Sequence, residues 1–329
     1  MQQSSTTQPD ARKPDAAIPE VCIIVPARNE EASLADCLQS LITQDGVTHE
    51  IIVIDDASTD RTRQIAESFP GVRVIPAPPL PPGWTGKNNA VIAGAAAAQA
   101  PWLLFTDADT VHVAGSLARA LAEAKRENAD MLSYSPEQIV ETFIERIVMP
   151  AAFAELAHEY PPAQVRDEKS GIVAANGQYI LVRRKAYEQV LGHRTIASEI
   201  LEDVALAKAF RRAGFRVYFR YAADAVRTRM YRNWPQMREG WTKNLALLFP
   251  HPVRRATALT LWWIGAWLTV PLPVAAIALF RRIQKANFSP STTLLATMFG
   301  PPMFAYLLLR SRQTHAIGNV VWRGRSYAQ

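Results

Sequence analysis

Cysteine is nearly missing: Cys22 and Cys37 are the two among 329 residues. Two thiols exclude a disulfide scaffold, and neither their number nor their spacing suits a zinc site, so a reducing compartment fits. Cys22 falls in an apolar run and reads as a buried core thiol. Charge is also sparse, with Asp, Glu, Lys and Arg at 20% against 49% hydrophobic residues, which allows a sizeable core. The first twenty residues, MQQSSTTQPDARKPDAAIPE, lack an apolar stretch. They read as a disordered tail over 1–19 and not as a signal peptide. No internal repeat is present. A net charge of +6 and an isoelectric point near 9.4 say little alone. The basic residues crowd the C-terminal half.

What is there begins with short apolar runs. VCIIVPA (21–27), EIIVIDD (50–56), VRVIPA (72–77) and WLLFTDAD (102–109) read as buried strands. Between them, helical spacing predicts helices within 29–43, over 60–69 and over 88–99. Continuous apolar strands alternating with helices predict an α/β fold, a mainly parallel sheet covered on both faces. Ligands bind such sheets at the carboxyl ends of the strands, where two acidic clusters lie.

The last eighty residues differ. Ala256 to Phe280 and Pro290 to Leu309 carry no charge, and roughly 20 apolar residues suffice to span a bilayer as a helix. Trp262, Trp263 and Trp267 suit an interfacial belt, and Pro271, Pro273, Pro301 and Pro302 are tolerated in membrane helices. The expectation is a C-terminal membrane region, 251–329, with helices 256–280 and 290–309; a buried hairpin of a soluble protein is the bland alternative. The arginines at 227–255 and 310–325 belong inside by the positive-inside rule, yet so do Arg281, Arg282 and Lys285 between the two runs. Re-entrant or interfacial segments therefore stay open. Residues 138–160 read equally as an interfacial amphipathic helix or as core.

Asp107-Ala108-Asp109 places two carboxylates at i and i+2 on a strand end. Both can approach one Mg²⁺ or Mn²⁺ that also takes diphosphate oxygens; the bland reading is an acidic turn capping the next helix with Thr110. Asp55 and Asp56 suit hydrogen bonds to a base or ribose, while Ser58 and Asp60 read as an N-cap and a helix-dipole partner. Glu202-Asp203 opens a helical stretch, where a carboxylate could accept a proton from an acceptor hydroxyl or merely favour the helix N-terminus. RTRMYRNWPQMREGW (227–241) mixes arginines and aromatics, suiting diphosphate binding and stacking on Trp241. It abuts the apolar runs, which makes a bilayer the nearer anionic partner than nucleic acid.

Together these pieces resemble the family 2 inverting glycosyltransferases with a GT-A fold, over roughly residues 20–250. VPARNEE (25–31) and DDASTD (55–60) are similar to the signatures of the first two strands, DAD (107–109) to the metal motif, and LEDVAL (201–206) to the acid pair of the acceptor side. QMREGW (236–241) is similar to a Gln-x-x-Arg-Trp motif, with altered spacing. The resemblance implies that Pro26, Arg28, Glu30, Asp55, Asp56 and Lys87 hold the nucleotide-sugar, with Gln236, Arg238 and Trp241 beside its diphosphate. Asp107 and Asp109 would bind metal, Asp107 touching the diphosphate as well. Asp203 would be the general base, with Glu202 nearby. Asn176, Gly177 and Gln178 would line the acceptor side, unless they form a simple turn.

PPGWTGK (81–87), REGWTKN (238–244) and WRGRSY (322–327) are similar to lipid-glycosylating members of hopanoid-associated, carotenoid and ceramide types. Such relatives often have an N-terminal span; here attachment would rest on the C-terminal half. The implied activity is hexosyl transfer from a nucleotide-sugar, a UDP-sugar favoured, to a lipid hydroxyl, with Mg²⁺ or Mn²⁺, at the cytoplasmic face of the cell membrane. Rivals are a polysaccharide synthase of the same fold, an inactive membrane-tethered nucleotide-sugar-binding protein, and a lipid-head-group nucleotidyl- or phosphotransferase.

Overall fold

A computed structural model of the protein describes residues 18–268, 274–286, 288–318, 320–322 and 325–327. The expected tail (all but residues 18 and 19), together with Pro271, Pro273 and part of WRGRSY, lies outside these residues.

In chain order the elements are β1 (Val21–Ala27), α1 (Leu34–Ile42), β2 (His49–Asp55), α2 (Thr62–Glu67), β3 (Val72–Pro76), α3 (Gly86–Ala97), β4 (Trp102–Phe105), β5 (Thr110–His112), α4 (Ser116–Arg126), β6 (Met131–Ser135), β7 (Glu137–Gln138), α5 (Phe143–Glu159), α6 (Pro162–Arg166), β8 (Ile180–Arg183) and α7 (Arg184–Gln189). They continue with α8 (Glu202–Arg212), β9 (Val217–Tyr221), β10 (Val226–Thr228), α9 (Trp234–Leu248), α10 (Pro252–Leu268), α11 (Val274–Gln284), α12 (Pro290–Ile317), β11 (Val320–Trp322) and β12 (Arg325–Tyr327).

The main sheet has the order β3-β2-β1-β4-β8-β6-β9. Its pairs are parallel except those of β8, which runs against β4 and β6. Both faces of β1 are buried. Ile23 and Val25 face one core with α1 and α4, and Cys22 and Ile24 face the other with α3 and α8. That is why the strand reads as an unbroken apolar run rather than an alternating one. The small sheet β5-β10-β7 closes over the carboxyl end of β4.

A third core joins α5 and α9 to α10, α11 and α12. α5 fills the stretch that sequence left between interface and core, and the core reading holds: Ile147, Val148, Ala151 and Ala152 are buried. Gly300 of α12 lies so close that a Cβ there would meet Ala151 Cβ at 2.7 Å and the Ile147 carbonyl at 2.8 Å. The expected helix over 256–280 is α10 followed by α11, with 269–273 outside the described residues. The second expected helix extends past 309 to Ile317. At 28 residues, α12 is, among the described residues, the one helix long and apolar enough to cross a membrane.

Two polar contacts tie these helices together. Glu155 of α5, 2% exposed, receives Arg282 Nε at 2.7 Å, Arg282 Nη2 at 2.9 Å and Arg255 Nη1 at 3.4 Å; Arg255 also bonds Glu159. Ser311 of α12 is inserted into α9: its hydroxyl donates to the Thr242 carbonyl at 2.6 Å and accepts from the Ala246 amide at 2.8 Å. An i to i+4 helix bond of α9 is thereby routed through a neighbour's side chain.

Candidate active site

The carboxyl ends of β1, β2 and β4, the first turn of α8 and one face of α9 surround a cleft of about 300 Å³. The loops after β1 and β2 are laced together. Arg28 Nη1 donates to the Asp56 carbonyl at 2.6 Å, the Asn29 amide to Ser58 Oγ at 3.1 Å, and the Glu30 amide to Thr62 Oγ1 at 2.7 Å. Ser58 is thus not the cap of α2, whose first turn instead donates from the Thr62 amide to Asp60 at 2.9 Å. Burial opposes the Asp60 charge, but hydrogen bonds from the Thr62 hydroxyl and amide and from the Glu31 amide hold its carboxyl below its usual range.

After β4 the chain turns through Asp107-Ala108-Asp109 and enters β5, so the helix-capping alternative does not apply there. The turn is braced from behind. Thr110 Oγ1 donates to the Asp107 carbonyl at 2.8 Å, and Thr228 Oγ1 of β10 donates to the Asp109 carbonyl at 3.1 Å. Thr106, Thr110 and His112 form a buried cluster beneath it. Burial lowers the His112 pKa to about 3, so the cluster is neutral.

The charged centre is a chain of three groups. Lys87 Nζ, near the start of α3, lies 2.7 Å from Asp107 Oδ1 and 2.6 Å from Glu202 Oε1. Thr85 caps α3 by accepting from the Asn88 amide, which fixes the turn that aims Lys87. Burial opposes the lysine charge, but Asp107 and Glu202 outweigh it and its pKa rises. For Glu202, burial likewise opposes ionisation, and Lys87 followed by Lys243 overcomes it.

Asp203 is different. Its two oxygens accept from the Gly177 amide at 2.9 Å and its own neighbour Val204 at 2.8 Å. Burial first, then the adjacent Glu202 charge, raise its pKa to about 6. Gly177 leaves room for this approach: a Cβ would stand 3.0 Å from both Glu202 Oε1 and Lys87 Nζ, which would have to shift by a few tenths of an ångström.

Of the expected residues, Pro26, Arg28, Glu30, Asp56, Lys87, Asp107, Asp109, Asn176, Gly177, Gln178, Glu202, Asp203 and Trp241 line this one cleft. Asp55 does not line it; its Oδ1 accepts from the Ser58 amide at 3.1 Å and closes the loop. Gln236 and Arg238 do not line it either and are exposed. Gln236 Oε1 accepts from the Arg232 amide at 3.0 Å. At 100° per residue Arg238 falls roughly opposite Gly240 and Asn244 and so points away, whereas Gln236 shares their face but stands a turn earlier, in the first turn of α9.

Sequence reasoning missed Lys243 and Tyr231, and missed Phe153 and Leu156 of α5 and Tyr160 just after it as a wall. The i, i+3 and i+4 spacing of Gly240, Lys243 and Asn244 was the available signal. Lys243 is depressed in pKa by burial, against the pull of Glu202. Gly240 lets Tyr231 lie against α9, since a Cβ would clash with its ring.

The donor set suits a hard divalent cation. Among the described residues no cluster of three or more His, Cys, Asp or Glu forms a metal cage. Two carboxylates from one turn leave coordination positions for phosphate oxygens and water.

The family model of glycosyl transferase family 2 matches residues 22–191. The 4,4'-diaponeurosporenoate glycosyltransferase of Staphylococcus aureus (strain MRSA252) is 27% identical over 334 residues, covering 93% of this chain and 88% of that relative. The mannosyltransferase PcManGT from Pyrobaculum calidifontis, solved with GDP-Man and Mn²⁺, shares the fold at a TM-score of 0.52 and 20% identity, covering 93% of this chain and 90% of that one.

Proposed function

The chain belongs to glycosyl transferase family 2, and from that membership we propose that it moves a sugar from a nucleoside-diphosphate donor to a membrane-resident lipid hydroxyl, with inversion, at the cytoplasmic face. The observation that carries this reading is the ion-paired chain Asp107–Lys87–Glu202 with Asp203 beside it. It joins the strand end where a diphosphate would lie to the helix turn where a base is needed.

In this reading residues 20–250 form the transferase unit and 251–329 attach it to the membrane. Pro26, Arg28, Glu30 and Asp56 hold the nucleotide. Asp107 and Asp109 would hold Mg²⁺ or Mn²⁺ together with the donor diphosphate, and the bound cation would neutralise the charge of the leaving group. Lys87 fixes the position of Asp107 and adds positive charge beside that group. The Asp203 carboxylate takes the proton of the acceptor hydroxyl. The acceptor oxygen bonds to the anomeric carbon as the bond to the diphosphate oxygen breaks on the opposite face, and the nucleoside diphosphate departs with that electron pair. A pKa near 6 leaves Asp203 ionised at neutral pH yet more basic than an ordinary aspartate.

Phe153, Leu156, Tyr160, Trp241 and Leu248 give the same cleft an apolar wall. That wall suits the chain of a long apolar acceptor, and the name of the 27% identical relative points to a carotenoid-type one.

The test is donor hydrolysis and lipid transfer by the purified full chain in detergent, with UDP-sugars first and GDP-mannose next, in Mg²⁺ or Mn²⁺. Metal-dependent release of one nucleotide, abolished in Asp109→Ala, is the expected result. Absence of both nucleotide binding and release with every donor would overturn the reading.

A further inference from the structure

α12 is long and apolar enough to cross a membrane, but its packing ties it to the catalytic body. Gly300 lies against Ala151 of α5. Ser311 is inserted into α9, and His315 Nε2 donates to the Lys243 carbonyl at 2.8 Å. Both partner helices are charged. α5 carries Glu145, Arg146, Glu155 and Glu159, and α9 carries Arg238, Glu239 and Lys243. Such charges are expensive in hydrocarbon. A crossing α12 would have to leave the two helices it packs on or drag their charges with it.

The side of α12 turned away from these partners is open. At 100° per residue, Leu295, Phe299, Tyr306, Arg310 and Gln313 fall within about 60° of one another. Phe299 and Tyr306 are each 43% exposed, and Arg310 and Gln313 are exposed with them. The starts of α5 and α9 extend this face. The ring of Phe143, a residue 63% exposed, stands 6.5 Å from that of Phe299, and Trp234 stacks on Tyr306 at 6.3 Å. An exposed arginine follows each of three aromatics by one turn: Arg146 after Phe143, Arg238 after Trp234, and Arg310 after Tyr306. The balance is cationic. Glu141 and Glu145 bond Arg229, Glu239 adjoins Arg238, and the sequence holds no acid after Glu239.

We propose that this aromatic and cationic face is seated on an anionic phospholipid bilayer, with α12 lying in the plane of the interface and not across it. Tryptophan and tyrosine rings settle at headgroup depth. Arginine stems lie along the apolar layer while their heads meet lipid phosphates. Along α5, Phe153 of the cleft wall is a rise of about 15 Å from Phe143, so the seat lies close to the cleft that would take an apolar acceptor. The inference rests on the membrane attachment proposed above and adds the face that makes it.

Nitroxides on Leu295→Cys, Leu309→Cys and Gln313→Cys test it in the full chain bound to vesicles of phosphatidylcholine and phosphatidylglycerol. Ser68→Cys is the aqueous reference, and Phe299→Cys replaces Leu309→Cys should that variant misfold. Cys22 and Cys37 are buried, and the unsubstituted chain supplies the background. Depth is read from collisions with oxygen and with a water-soluble nickel complex. Positions 295 and 313 stand about 27 Å apart along α12, close to the roughly 30 Å of a hydrocarbon core. One shared depth near the headgroups for all three sites, with Ser68→Cys in water, is expected. Depth that changes steadily from 295 to 313 would overturn the proposal in favour of a crossing helix. All three sites in water on a vesicle-bound chain would overturn it as well, as would shielding from both reagents, the mark of a second copy or a protein partner on this face. A chain that fails to sediment with the vesicles would sink membrane attachment itself. Depth is read without turnover, so none of these outcomes decides whether the chain transfers sugar.

Discussion

Asp203 is gripped by two backbone amides, yet its surroundings disfavour its charge, and the two facts set opposite pH dependences. Folding raises its pKa from the ordinary 3.8 to about 6. The folded state thus favours the neutral acid: this contribution to stability is complete below about pH 4 and lost as pH rises through 6. The proposed mechanism uses the carboxylate, so transfer should fall as pH drops below about 6, which a kcat/KM profile in full-chain detergent micelles will show. Asp203→Asn should cost roughly 10²–10⁴ in transfer, the range of general-base catalysis, while nucleotide binding by calorimetry stays unchanged. Gly177→Ala should push Lys87 and Glu202 apart and cost up to roughly 10²-fold in rate, the penalty of a small misplacement, with the thermal transition little moved. The acids of this site were legible because each follows an apolar run or opens a helix. Asp55 misled for the same reason: its place at the strand end is right, but its side chain closes its own loop.

α9 shows where legibility stops. Its arginine- and aromatic-rich sequence signals binding, but which face lines the cleft is set by docking against α5 and α12, and sequence pattern does not fix that phase. Arg238 therefore points away from the cleft while Lys243, unremarked in its motif, lines it. The sheet was legible because burial on both faces writes itself into contiguous apolar residues; the antiparallel course of β8 was not, since strand direction leaves no such mark. Among the helices, Glu155 joins α5 to both α10 and α11. Glu155→Ala strands two guanidinium groups in a largely buried setting, though Arg255 keeps Glu159. Breaking a buried pair costs about 3–5 kcal/mol, and a clear fall in Tm in detergent is expected. Gly300→Val should separate α5 from α12, at about 1–3 kcal/mol for overpacking, read by the same melt.

At the scale of the whole molecule, the proposed membrane attachment would combine exposed cationic and exposed apolar side chains, and the two contributions should separate under salt. Binding of the full chain to vesicles containing phosphatidylserine or phosphatidylglycerol should weaken at 1 M salt, where the Debye length falls to about 3 Å, without vanishing, because apolar insertion is not screened. A co-sedimentation assay that lost all binding at high salt would point to surface adsorption alone. The expected division at about residue 250 is crossed by contacts between α9 and α12. Ser311 lies far along the sequence from the acids of the cleft, yet its hydroxyl completes the backbone of the very helix that presents Trp241 and Lys243 to them. Cutting the chain near 250 to obtain a catalytic fragment would strip α9 of that support. On the proposed reading, the segment that meets the membrane is also a splint for the site, and a soluble form would need α9 held some other way.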